Sequence, residues 1–174
     1  MEEFKIGIVA EGISDYWVLK HIVERVLRNK DPFVIPLQPK VQANGKQGGY
    51  GGWKEVFNYI QAKDYIVELA QKEGCQYVIV QLDTDVSVEY GVDKVDEKEV
   101  LYNNVVNVVN STVHEEFDKS RLIYAICIDS LECWLIPFVT TNTNDCNKIS
   151  NCVNVVNKYI KASLGTIDKD QKGK

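Results

Sequence analysis

Apolar residues fall along this chain in two alternating kinds of stretch. Short continuous runs occur at Lys5–Ala10, Phe33–Leu37, Tyr77–Leu82 and Leu122–Ile128. Runs of this length, rich in Val and Ile, predict strands covered on both faces. Between them, apolar positions recur every three or four residues. Leu19, Ile22, Val23, Val26 and Leu27 make one stripe; Leu101, Val105, Val108, Val109, Thr112 and Val113 make another. Such stripes predict amphipathic helices, the first over 15–29. Ser14 is the expected N-cap of that helix, and Asp96 with Glu99 the expected capping box of the second. A helix opening at Trp53, Val56, Phe57 and Ile60 loses its stripe near Lys63-Asp64, which predicts one kinked helix or two.

Other positions punctuate the pattern. Pro36 cannot donate to a ladder, so Phe33–Leu37 is expected at a sheet edge. Five glycines between Val41 and Gly52 predict a flexible loop. Leu131 to Phe138 opens a further helix, checked by Pro137, and Thr140 to Asn147 reads as a polar loop. Ile149, Cys152, Val153, Val156, Ile160 and Leu164 form a last helical stripe before a polar tail at 168–174. The β-α alternation predicts an α/β fold: three layers, with a mostly parallel four-stranded sheet and helices on both faces. One domain over 1–174 is expected, with its chemistry in 5–136 and a helical extension over 139–174.

Composition narrows the class. The chain has 174 residues, 45% hydrophobic and 26% charged, which suits a globular domain with a real core. No apolar run reaches the length of a membrane span. The acidic start, Met1-Glu2-Glu3, leads straight into a strand and does not read as a signal peptide. The five cysteines, odd in number and without a C-x-x-C pair, are expected to be reduced in a cytoplasmic protein. A net charge of −5 argues against a broad basic surface for nucleic acid, but leaves room for phosphate chemistry in which metal ions supply the positive charge.

The candidate chemistry sits at strand ends. The first strand is followed by Glu11 and Asp15, the third by Asp83 and Asp85, the fourth by Asp129 and Glu132. Parallel strands deliver their carboxyl ends to one edge, where open α/β sheets bind ligands. Asp83 and Asp85, two apart on an extended chain, would point the same way. Gathered carboxylates repel unless a cation offsets the charge. An all-oxygen set without a His or Cys motif suits Mg²⁺ or Mn²⁺ rather than zinc. The bland reading of any one of these acids is a turn or helix cap. Glu11 resists it, because Glu is not a favoured turn residue and here precedes a glycine.

The ordered set Glu11-Gly12-x-Ser14-Asp15, then Leu82-Asp83-x-Asp85, then Ser130-x-Glu132, resembles the Toprim domain. That domain is shared by type IA and type II topoisomerases, bacterial primases and overcoming-lysogenization-defect nucleases, and the pattern here is similar to the nuclease branch and small bacterial relatives. The resemblance covers about residues 5–136. It implies a metal-dependent nuclease or nickase acting on DNA or RNA, with an anti-phage role and a separate ATPase subunit as partner. It implies that Asp83, Asp85 and Glu132 hold one metal, while Glu11 and Asp15 hold or approach a second. Glu11, Asp83 and Asp85 are the implied catalytic residues, with two Mg²⁺ or Mn²⁺ ions clamping the attacking and leaving oxygens. Asp129, Ser130 and Lys46 are further candidates. The family also uses a later lysine; Lys158, Lys161 and the tail lysines are available for it.

Two other readings compete. A non-catalytic or partner-dependent Toprim-like subunit would keep the shape and bind metal or an ATPase. Leu82-Asp-Thr-Asp-Val86 also looks a little like the phosphatase motif of haloacid-dehalogenase-like enzymes, which normally opens on the first strand. Gly45-Lys46-Gln47 is not a Walker A motif, since Ser or Thr does not follow the lysine.

Overall fold

A computed structural model describes residues 4–148 and 150–160. Strand β1 (Lys5–Val9) leads into helix α1 (Ile13–Val26) and strand β2 (Phe33–Gln38). A small hairpin follows, β3 (Lys40–Val41) with β4 (Gln47–Gly48), then helix α2 (Trp53–Gln61), a π-helical stretch Asp64–Leu69 and helix α3 (Ala70–Lys72). Strand β5 (Tyr77–Asp83) is followed by a 3₁₀ turn at Ser87–Tyr90, then helix α4 (Lys98–Thr112) and strand β6 (Leu122–Cys127). Helices α5 (Glu132–Val139), α6 (Thr143–Cys146) and α7 (Cys152–Ile160) end the described chain.

The four long strands pair in parallel in the order β2-β1-β5-β6. Pro36 lies on the edge strand β2, as its missing donor requires. Side chains alternate between two cores. Val9, Val78, Val80, Leu82, Leu122 and Ile126 face α2, the π-helical stretch and α4. Ile6, Ile8, Ile79 and Ala125 face the opposite way, where Tyr16, Leu19 and Val23 of α1 and Trp134 of α5 cover them. Helices therefore occupy both faces, and the three-layer α/β architecture is the expected one, consistent with a Toprim-like layering.

Local differences have identifiable causes. Helix α1 starts two residues early, with Gly12 at the N-cap and no side-chain cap from Ser14. The orphan amide of Ile13 is taken up instead by Gln47 Oε1, 3.1 Å away on the hairpin. Asp96 and Glu99 form no capping box; Glu97 is the N-cap of α4. The stripe slip near Lys63-Asp64 becomes the π-helical stretch. The glycine-rich segment is a paired hairpin rather than a structureless loop. The polar loop at 140–147 contains the short helix α6, capped by Asn142.

Cysteine chemistry departs most from expectation. Cys133 and Cys152 form a disulfide that ties α5 to α7, while Cys75, Cys127 and Cys146 are free. The pair stand 19 positions apart in sequence, so only the packing of α7 on α5 brings them together. Ile149, Leu164 and the 168–174 tail lie outside the described residues.

Candidate functional site

The sheet order creates the site. From β1 the chain moves outward to β2, then returns to β5 and proceeds to β6 on the other side. The reversal falls between β1 and β5, so the segments leaving these two strands diverge and open a crevice at their carboxyl ends. Glu11 leaves β1 there and Asp83 ends β5 there.

Gln81 links the two acids. It is the one polar residue in the run Val78–Leu82 and is fully buried. Its Oε1 accepts from the Glu11 amide at 3.0 Å, and its Nε2 donates to Asp83 Oδ1 at 2.8 Å. The Asp83 amide in turn donates to Glu11 Oε1 at 2.7 Å. A closed set of hydrogen bonds therefore spans the switch point, and each carboxylate is oriented through one oxygen. Asp83 Oδ1 also accepts from the Leu131 amide at 3.0 Å, which draws the segment after β6 to the same place.

Three of the acids are deeply buried: Asp15 is 1% exposed, Asp83 5% and Glu132 6%. All three belong to one face of the sheet. Asp83 follows Ile79 and Gln81 by the period of two, and Asp15 and Glu132 stand in the first turns of α1 and α5, which cover that face. A helix N-terminus favours a carboxylate, which offsets part of the cost of burial. The Asp15 carboxylate folds back over Gly12, where a Cβ would lie 3.0 Å from its Oδ2. A glycine in this turn is what lets the acid close over it.

Asp85 arrives by another route. Strand β5 ends at Asp83, so the alternation of extended chain does not extend to Asp85, which sits in a turn and is half-buried. Its amide donates to the Asp129 carbonyl at 2.9 Å, while the Asp129 amide takes Thr84 Oγ1 at 2.8 Å. These bonds splice the turn after β5 to the turn after β6. Asp129 has φ +65°, the left-handed region that Asp tolerates better than most residues.

Tyr90, from the 3₁₀ turn, closes the floor. Its hydroxyl donates to the Asp83 carbonyl at 2.8 Å, and its ring packs on Trp53 and Phe57 of α2. Burial, and then the carboxylates of Glu11, Asp83 and Asp85, hold its pKa well above the ordinary tyrosine value. The hydroxyl is therefore a permanent donor.

The segment that runs from the hairpin into α2 covers the other side. Gly52 N donates to the Glu11 carbonyl at 2.7 Å, and a Cβ on Gly51 would fall 2.5 Å from the same oxygen. Only glycine permits that approach. Lys46 lies at the exposed hairpin turn, its amide bonded to Asn44 Oδ1. Lys158 Nζ is 3.2 Å from Asp145 Oδ2 and also bonds the Tyr159 hydroxyl, so it is engaged within α6 and α7. Lys161 and the tail lysines lie outside the described residues.

The assembly is thus an edge that gathers acids rather than a finished chelate. Among the described residues, no three of Glu11, Asp15, Asp83, Asp85 and Glu132 bring ligand atoms within 4.8 Å of one another; the group that does is Asp129, Cys133 and Cys152. Mg²⁺ tolerates such spacing, since it keeps several waters and takes one or two carboxylates with substrate phosphates. The donor set fits a hard cation: carboxylates alone, with the fully buried Ser130 hydroxyl beside them making no hydrogen bond among the described residues. Sequence reasoning missed Gln81, Gln47 and Tyr90. Gln81 left a signal as the lone polar residue in a buried strand; the other two depend on tertiary contacts.

No helix among the described residues is long and apolar enough to cross a membrane. The chain matches no family model, no curated protein and no solved structure.

Proposed function

We propose that this protein is a Toprim-like, divalent-metal-dependent phosphodiester hydrolase that nicks or cleaves DNA or RNA. What supports the reading is the closed hydrogen-bond set of Glu11, Gln81 and Asp83 at the sheet's switch point, with Asp85 and Glu132 delivered to the same edge. Asp83, Asp85 and Glu132 are the residues to hold one ion, with Glu11 and Asp15 beside a second. Bound there, Mg²⁺ or Mn²⁺ would supply Lewis-acid charge to the phosphodiester. The chain's own residues do the positioning. Gln81 and the Leu131 amide fix Asp83, and the Asp83 amide fixes Glu11. Glu11, less buried than Asp83, is the group placed to accept a proton from an attacking water. Tyr90 stays neutral and holds the end of β5 in place.

The net charge of −5 also suits a chain that meets its substrate beside a separate ATPase subunit, working in anti-phage defence. The test is incubation of the folded protein with supercoiled DNA, single-stranded DNA and RNA in Mg²⁺ or Mn²⁺. Cleavage that disappears with chelator and in Asp83→Asn supports the hydrolase. Metal binding without cleavage of any substrate moves the conclusion to the partner-dependent subunit. Neither binding nor cleavage overturns both.

A further inference from the structure

The cysteines give the molecule a second cluster of ligating atoms. Cys133 is the second residue of α5, directly after Glu132, and Cys152 is the first residue of α7. Their Cα atoms are 4.9 Å apart, and the Asp129 carboxylate lies beside them, its Oδ2 4.0 Å from Cys133 Sγ. One atom from each of the three falls within 4.8 Å of the other two. Asp129 is pinned by the Thr84 and Asp85 contacts, Cys133 by the first turn of α5, and Cys152 by the packing of Ile136, Val155 and Val156.

We infer that the reduced form of this cluster is a zinc site, with the thiolates of Cys133 and Cys152 and the carboxylate of Asp129 as three ligands and a water at the fourth vertex. The chemistry favours zinc over the hard cations proposed for the sheet edge. Two thiolates are soft donors, which Mg²⁺ and Mn²⁺ do not select. The dimensions agree. Zn–S bonds of about 2.3 Å and Zn–O bonds of about 2.0–2.2 Å in a tetrahedron put neighbouring ligand atoms about 3.6–3.8 Å apart. Asp129 Oδ2 already stands 4.0 Å from Cys133 Sγ, and the two sulfurs, bonded to each other here, would have to move apart on reduction to reach that spacing. Asp129 and Cys133 are partly exposed while Cys152 is buried, so a solvent ligand reaches one side of the site.

The two forms interconvert by a balanced step. Two equivalents of a thiol reductant give up two electrons and two protons to the Cys133–Cys152 bond, yielding two thiols and an oxidised reductant disulfide. Zinc then displaces two protons from those thiols. Cys146 is not part of the set: its thiol donates to the Thr140 carbonyl. The zinc site is separate from the hydrolase reading, and each stands or falls without the other.

Metal analysis of the full chain tests the inference. Protein reduced with an excess of a thiol reductant, loaded with Zn²⁺ and desalted, should retain one zinc per chain and resist a chromophoric chelator. The oxidised chain, recognised by three titratable thiols rather than five, should give up its zinc to the same chelator, because only the oxygen donors of the sheet edge are left to hold it. Asp129→Asn should weaken retention by at least about tenfold, since even outer-shell partners of metal ligands cost that much. Cys133→Ser should abolish it. Co²⁺ added to the reduced wild-type protein should give a thiolate-to-cobalt charge-transfer band, a readout that stands even if a cysteine variant fails to fold. Reduced wild-type protein that holds no zinc and gives no such band overturns the site, as does zinc retained equally by Cys133→Ser.

Discussion

The sheet edge and the C-terminal helices solve the same problem, holding charged groups in place, by different means. At the edge, Glu11 and Asp83 are fixed by backbone amides and by the side chain of Gln81, all on strands whose register is set by apolar packing. In α5–α7 the fixing groups are side chains: the Cys133–Cys152 link and the Asp145 carboxylate shared by Lys148, Lys158 and Tyr159. The first arrangement is inseparable from the fold. The second is an attachment, whose covalent link answers to reductant and whose ion pairs answer to pH. The difference is one of dependence: carboxylates held by the strands keep their geometry as long as the sheet does, while groups on the short helices respond to reductant and to acid.

The largest expected effect breaks the edge. Asp83→Asn should lower cleavage at least about 100-fold, as loss of a metal ligand does, while circular dichroism stays unchanged. Next, Gln81→Leu removes the acceptor of the Glu11 amide and one of two donors to Asp83 Oδ1, which keeps the Leu131 amide. It should cost about 1–3 kcal/mol in urea unfolding, the desolvation penalty of one buried group that loses its partner. A cost well below about 1 kcal/mol would mean that the edge is no more integral than the helical attachment.

Tyr90→Phe sharpens the contrast through pH. Removing its hydrogen bond to Asp83 should cost about 1 kcal/mol at neutral pH. The folded-state pKa of Tyr90 is raised, so its contribution is full below the ordinary tyrosine value of about 10 and is lost as pH climbs toward the folded value. The wild-type and Phe variants should therefore converge in stability in strong alkali. A gap that widens there would contradict the burial assigned to this phenol.

The smallest effect belongs to α6–α7. Lys148 first, then Tyr159 and Lys158, hold the Asp145 carboxyl below its ordinary value. A lowered carboxyl contributes above the unfolded pKa and loses its contribution as pH falls through the folded one. Acid below the usual carboxylate range should then loosen α7 without touching β5 or β6. Hydrogen exchange at low pH would show faster amides in α7 alone, and Asp145→Asn would have this behaviour already at neutral pH. Equal protection loss in β5 would erase the distinction between the two regions.

The same contrast explains what the sequence made legible. Continuous Val/Ile runs marked all four long strands, because burial on both faces leaves few polar positions, Gln81 being the exception in β5. Parallel pairing then sent Glu11, Asp83 and Glu132 to one edge without any knowledge of contacts. Asp85 was harder, because its position depends on a turn bonded to Asp129 rather than on strand period. Gln47 serves as a helix cap from 34 residues away, a partnership that no local pattern encodes. Tyr90 sits beneath the acids because α2 presents Trp53 and Phe57 to it. Cys133 and Cys152 carry no motif spacing, so their pairing is a product of helix packing alone.

Everything proposed for the sheet edge depends on its acids binding divalent metal together. Isothermal titration of Mn²⁺ into oxidised protein, in which the Cys133–Cys152 disulfide withholds the sulfur ligands, measures this directly. Binding should be saturable, lost in Asp83→Asn and retained in Asp129→Asn. Binding unchanged by Asp83→Asn, or no Mn²⁺ binding by the folded wild-type chain, would contradict it.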